Sequence, residues 1–264
     1  MAIAAIVVAG IALIDKKIKM NTKPKAIFSW SGGKDSAYCL NKVLAEDQFD
    51  IKYLLTSVNH HFKRISMHGV REELLDAQAV SIGIPLLKVW VKEGTNDEYE
   101  KQMEAILLKA KEEGIEHVIF GDIFLEDLRV YRENNLAKVN MKAVFPLWKM
   151  DTGFLIRDFI AQQFKTITCC INDGSLTESW VGKEIDDSFV EQLPVTVDPC
   201  GENGEFHTFC YEGTIFKDKI QFTIGEKIYK PLEIKTTDDA VCTSNTTTKG
   251  FWFCDLLPLP KAGI

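Results

Sequence analysis

The sequence predicts an α/β fold: a Rossmann-like, doubly wound parallel five-stranded sheet, followed by a smaller α+β domain. Three observations predict it. Short apolar runs alternate with stretches of helical period between residues 26 and 147, and a glycine turn, Ser31-Gly32-Gly33-Lys34-Asp35-Ser36, joins the first run to the first helical face. The alternation then stops near residue 150.

Residues 26–30 read as a short buried strand, and Ala37, Leu40 and Leu44 then share one helical face. Residues 51–58, rich in β-branched and large apolar side chains, form the second strand. Val70, Leu74 and Ala77 repeat at helical spacing until Gly83 and Pro85 stop the helix, and residues 86–91 are the third strand. Tyr99, Met103, Ile106, Leu107 and Ala110 make an amphipathic helix ended by Gly114, before a fourth strand at 117–120. Gly121-Asp122 closes that strand, a polar helix runs from about 125 to 137, and residues 142–147 form the fifth strand. Such alternation needs right-handed crossovers and therefore a parallel sheet, whose ligands bind at the carboxyl ends of the strands. Residues 31–36 and Gly121-Asp122 both sit at such ends and face one pocket. Beyond residue 150 come a helix-like stretch at 154–164, an apolar run at 166–171, β-like pieces at 219–224 and 250–254, and a polar loop at 236–249.

The 264 residues carry a net charge of −7, which argues against an extended nucleic-acid face, because such a face needs clustered Lys and Arg. None of the seven cysteines stands in a C-x-x-C pair, so reduced thiols in the cytoplasm are expected. Residues 2–14 are apolar but shorter than the ~20 residues of a membrane span, and Lys16, Lys17 and Lys19 follow them rather than precede them. They read as an extension upstream of the fold, with Met20 as a candidate start, and a weak membrane anchor is the alternative reading.

A loop that binds phosphate needs inward backbone N–H groups, glycines that allow close approach, and a helix N-terminus. Residues 31–36 meet all three needs: Gly32 and Gly33 turn, Ser31 and Ser36 donate, and Lys34 brings a point charge. Asp35 beside phosphate is repulsive unless a cation such as Mg²⁺ lies between them. The order differs from the Walker loop, which occurs nowhere in the chain. A second polar cluster, Gly201-Glu202-Asn203-Gly204-Glu205-Phe206-His207-Thr208, packs two carboxylates, an amide, an imidazole and a hydroxyl around two glycines, and reads as a substrate-binding loop. His60, His61 and His68 have no carboxylate at ligand spacing and read as solvated rather than metal-binding.

Residues 31–36 match the S-G-G-x-D-S signature of the PP-loop ATP pyrophosphatases, which the chain thus resembles. More closely, residues 24–260 resemble the diphthine–ammonia ligases, through this loop, Met67-His68-Gly69-Val70-Arg71, Gly121-Asp122-Ile123 with Glu126, Asp127, Arg129 and Arg132, and the 201–208 stretch. The resemblance implies a HUP-type fold and ATP cleavage to AMP and pyrophosphate with Mg²⁺. It also implies amidation of an acceptor carboxylate by ammonia, with diphthine on a translation elongation factor as the acceptor. On that resemblance Ser31, Gly32, Gly33, Lys34, Asp35, Ser36, Gly121 and Asp122 hold the nucleotide, and Asp35 meets the metal. Met67, His68, Arg132, Glu202, Asn203, Glu205, His207 and Thr208 hold the acceptor, and Lys34, Asp35, Glu205 and His207 take part in the chemistry. The expected division is an extension at 1–20, a nucleotide-binding domain at 21–148 and an acceptor-binding domain at 149–264. One departure stands out: the family pattern G-E-G-G-E-F/Y-E-T here has Asn203 and His207, which bears on the acceptor. The other PP-loop reading, tRNA thiolation, wants a basic face and paired cysteines, and neighbours Cys169 and Cys170 on a strand point to opposite faces.

Overall fold

The computed structural model describes residues 23–65, 68–91, 96–232 and 248–259. The extension at 1–20, Met67, Cys242 and most of the polar 236–249 stretch lie outside them. Five parallel strands form the first sheet: β1 (Lys25–Ser29), β2 (Asp50–Asn59), β4 (Leu86–Val91), β5 (Ile115–Ile119) and β6 (Lys142–Val144). The sequence did not suggest β3 (Arg64–Ile65), which pairs antiparallel with the end of β2. Leu54 of β2 pairs with both Phe28 of β1 and Leu86 of β4, so β1 and β4 flank β2 and the parallel order is β4-β2-β1-β5-β6. The chain moves outward from β1 to β4, then returns to β5 on the other side of β1. That reversal opens a crevice at the carboxyl ends of β1 and β5.

The crossover helices are α1 (Lys34–Glu46), α2 (Glu72–Ile82), α3 (Asn96–Glu112) and α4 (Glu126–Lys138). Gly83 ends α2 in the left-handed region at φ 83°, as its place after the last apolar position suggested. Strand β1 shows the period of two: Ala26, Phe28 and Trp30 join one core and Ile27 the other. The second core is closed by Leu107 of α3 and Leu136 of α4. The first continues without a break into the second sheet, through Phe159, Phe164, Ile167, Phe206 and Phe209.

That second sheet is antiparallel in the order β8-β7-β10-β9, from β7 (Lys165–Asn172), β8 (Phe206–Glu212), β9 (Phe222–Pro231) and β10 (Gly250–Pro258). Before it comes α5 (Thr152–Ala161), capped by Asp151, whose carboxylate accepts from Phe154 N at 2.6 Å. A short α6 (Asp187–Gln192) is capped in the same way by Asp186. Three expectations need correction. Residues 219–221 precede rather than begin β9, the fifth parallel strand stops at Val144, and Phe206-His207-Thr208 open β8 instead of lying in a loop. Strand β8 is buried on both faces, so it lacks the alternation that marks a strand in sequence.

Asp255 of β10 ties the sheets together, accepting from Arg71 Nε at 3.0 Å and from Arg64 at 2.8 Å. Against the effect of burial, the Arg71 and Arg64 guanidiniums hold the Asp255 carboxyl down to about 2. A depressed carboxyl stabilises the fold fully above its unfolded value, and this support is lost as pH falls through about 2. Among the described residues no helix is long and apolar enough to cross a membrane.

Candidate active site

The glycine turn after β1 is built from both sheets. Gly32 has φ 77°, and a Cβ there would stand 2.8 Å from Gln78 Oε1. At Gly33 a Cβ would stand 3.0 Å from the Thr208 carbonyl oxygen and from His68 Cε1, so only glycine lets β8 come this close. Thr208 Oγ1 accepts from Lys34 N at 2.9 Å, satisfying one of the free N–H groups at the start of α1. Cys210 N donates to the Gly32 carbonyl at 2.8 Å. Ser31 Oγ donates to Ser36 Oγ at 3.0 Å, and Ser36 Oγ to the Gly33 carbonyl at 2.9 Å. From the end of β5, Gly121 packs on the same first turn, where a Cβ would be 3.2 Å from the Asp35 carbonyl oxygen.

Gln78 fastens this seam. Fully buried, it accepts from Trp30 Nε1 at 3.0 Å and donates to the carbonyls of Gly32 at 3.0 Å and Cys210 at 2.6 Å. Sequence reasoning passed over it, although a signal was present: Gln78 stands four residues after Leu74, within the apolar stripe of α2.

Lys34 is 3% exposed. Its Nζ donates to both Asp35 oxygens at 2.8 Å and to the Cys200 carbonyl, and lies 5.4 Å from the centre of the Phe206 ring. Burial alone would depress its pKa, but the Asp35 charge beside it prevails and holds it above the ordinary lysine value. Asp122 pairs with Arg132 at 2.7 Å, and the Arg132 guanidinium lies 4.3 Å over the Phe120 ring. Burial raises the Asp122 carboxyl against the pull of Arg132, and the Asp35 charge adds to the rise. Glu202 is pushed up to about 8, first by burial and then by the charge of Asp35, with Asp122 contributing. Lys34, Asp35, Asp122, Arg132 and Glu202 therefore share one electrostatic network at the β1/β5 crevice.

The rest of the 201–208 stretch is arranged differently from the expectation. Glu205 is buried and turned into its own turn, where it accepts from Asp198 N at 3.0 Å, Asn203 N at 2.9 Å and Asn203 Nδ2 at 3.0 Å. Asp198 completes the turn by accepting from Cys200 N at 2.8 Å and from Thr152 Oγ1 at 2.7 Å. Thr208 serves the glycine turn, as described. His68, expected to be solvated as a metal candidate, instead stacks on His207 with ring centres 4.8 Å apart, its Nδ1 3.1 Å from the Thr208 carbonyl. Burial lowers His68 to about 4 and His207 to about 3, so both rings are neutral at physiological pH, and His207 Nε2 is buried without a hydrogen-bond partner.

Asp35, Asp122 and Glu202 are hard oxygen donors of the kind Mg²⁺ takes. Among the described residues no three such groups close a metal site by themselves. Mg²⁺ commonly takes one or two carboxylates and completes its shell with nucleotide phosphates and water, so this donor set fits it. Cys39, Cys169, Cys170, Cys200 and Cys210 are buried, and burial pushes each thiol up, away from nucleophilic thiolate.

Comparison with known proteins bears on this site as a whole. The family model for the diphthamide synthase N-terminal domain matches residues 24–143, and that for the diphthamide synthase C-terminal domain matches residues 151–237. The chain is 25% identical to a diphthine–ammonia ligase of Rattus norvegicus over 233 residues, covering 75% of this chain and 82% of the relative. To that of Homo sapiens it is 25% identical over 215 residues, covering 72% and 79%. To that of Danio rerio it is 24% identical over 220 residues, covering 75% and 86%. The two family models together take in the parallel sheet, the glycine turn and the 201–208 stretch, and the chain belongs to the diphthamide synthase family.

Proposed function

We propose that the protein is an ATP-dependent ligase that adenylates an acceptor carboxylate, releases pyrophosphate and lets ammonia displace AMP, with diphthine on a translation elongation factor as the acceptor. The observation that carries this reading is the glycine turn opening α1 at the β1/β5 crevice, with the buried Lys34 cation at its mouth. Residues 21–148 hold the nucleotide and residues 149–264 present the acceptor, in the cytoplasm. Backbone N–H groups of the first turn of α1, with Ser31 and Ser36, receive pyrophosphate oxygens, and Lys34 exchanges part of its Asp35 and Cys200 contacts for phosphate. Mg²⁺, which Asp35 and Glu202 would hold together with the phosphates, supplies charge neutralisation at the leaving group. Arg132 keeps Asp122 oriented at the crevice. The neutral His68–His207 stack borders the acceptor.

The test supplies ATP, Mg²⁺, ammonium and elongation factor bearing diphthine, and follows nucleotides by chromatography. AMP and pyrophosphate are the expected products, and ADP with phosphate would refute the reading. His207→Glu, which restores the family residue, is expected to leave diphthine in use as the acceptor, and a large gain in its use would assign the native protein a different acceptor. A pH dependence follows from Glu202. Its proton is retained up to about 8, so Mg²⁺ affinity in the presence of ATP is expected to rise with pH through that value and flatten above it. In Glu202→Gln the part of the slope near 8 should vanish, leaving only the slope of ATP itself at lower pH, and a native-like rise near 8 in that variant would remove Glu202 from the metal site.

A further inference from the structure

A small cavity, open to solvent at one end, lies between α1, α5 and the turn before Glu202. Its wall is Leu147, Leu155, Ile156 and Phe159, none more than 3% exposed. Its polar end is Lys34 and Asp35 of the glycine turn, and of these two Asp35 reaches solvent, with 31% of its side chain exposed. The space holds about one molecule the size of water. Tyr38 also lines it, but its hydroxyl is spent on Asp158 Oδ2 at 2.5 Å.

We propose that this cavity is the docking site for ammonia, an inference that rests on the ligase reading above. The wall suits a small neutral molecule, since a cation would lose its hydration against four apolar side chains, and the Lys34 and Asp35 charges at the polar end are already spent on each other. Ammonium is excluded by the same physics, and only the species with a free lone pair enters. Larger amines do not fit. The polar end belongs to the loop that receives pyrophosphate, so an occupant leaving the mouth meets the adenylate from the side that pyrophosphate has vacated. There the nitrogen lone pair attacks the acyl carbon and the carbon–nitrogen bond forms. The carbon–oxygen bond to AMP breaks with its electron pair leaving on AMP, and the proton lost by nitrogen passes to the departing phosphate.

The experiment compares ammonium and methylamine as nucleophiles in the full-length protein, reading amide and N-methylamide on the acceptor by mass. One extra methyl in a tight apolar site costs about tenfold to a few hundredfold, so the native protein is expected to prefer ammonia by at least that much. Leu155→Ala and the milder Ile156→Val enlarge the wall and should narrow the preference by about tenfold or more in at least one variant. Acceptor-dependent ATP–pyrophosphate exchange, which needs no ammonia, is read alongside. Exchange present with an unchanged amine preference in both variants overturns the ammonia site. Absence of exchange in the native protein overturns the ligase reading on which it rests.

Discussion

Lys34→Met is expected to slow AMP formation by about 10²- to 10³-fold, the usual loss when one preorganised donor is removed from developing charge. The methionine fills a similar volume, so the change removes the cation and little else. Asp35 loses its buried partner but keeps access to water, and the folding cost should stay near ~1–2 kcal/mol, below that of breaking a fully buried pair. Urea melts measure the second quantity and single-turnover assays the first. A rate within about threefold of the native protein would assign Lys34 to holding the Cys200 turn against α1, not to phosphate.

Gln78→Leu carries the largest expected effect on stability. The side chain satisfies Trp30 Nε1 and bonds the carbonyls of Gly32 and Cys210; with leucine the Gly32 carbonyl keeps Cys210 N at 2.8 Å, while Trp30 Nε1 and the Cys210 carbonyl lose the amide. Each unsatisfied buried group costs about 1–3 kcal/mol, and two in one place should lower stability by roughly 2–4 kcal/mol. Because Gly32 lies in the turn proposed to hold phosphate, ATP affinity should fall as well, by about tenfold. A urea midpoint corresponding to less than about 1 kcal/mol would mean that water enters and replaces the amide.

Much of the first sheet was legible because each strand and crossover helix announces itself locally. Phe28 and Ile27 alternate, the α3 positions Met103, Leu107 and Ala110 repeat at helical spacing, and Gly83 and Gly114 mark the stops. The second sheet was less legible. The burial of β8 on both faces hides the period of two, and β9 alternates weakly because it lies exposed at the sheet edge.

By itself the sequence determined the parallel order of elements, the glycine turn after the first strand and the polar composition of residues 201–208. These depend on short-range chemistry: helical period, turn residues and the steric freedom of glycine. Only the tertiary structure decided what each side chain faces. It spent Glu205 on its own turn, put Thr208 on the glycine turn 174 residues away, and buried Lys34 between Asp35 and the Cys200 carbonyl. It also made Gln78 the fastening of the site. The reason is physical: a buried polar group must find its partner wherever the packed chain supplies one, and the partners of these groups came from β8 and the turn before it, far along the chain.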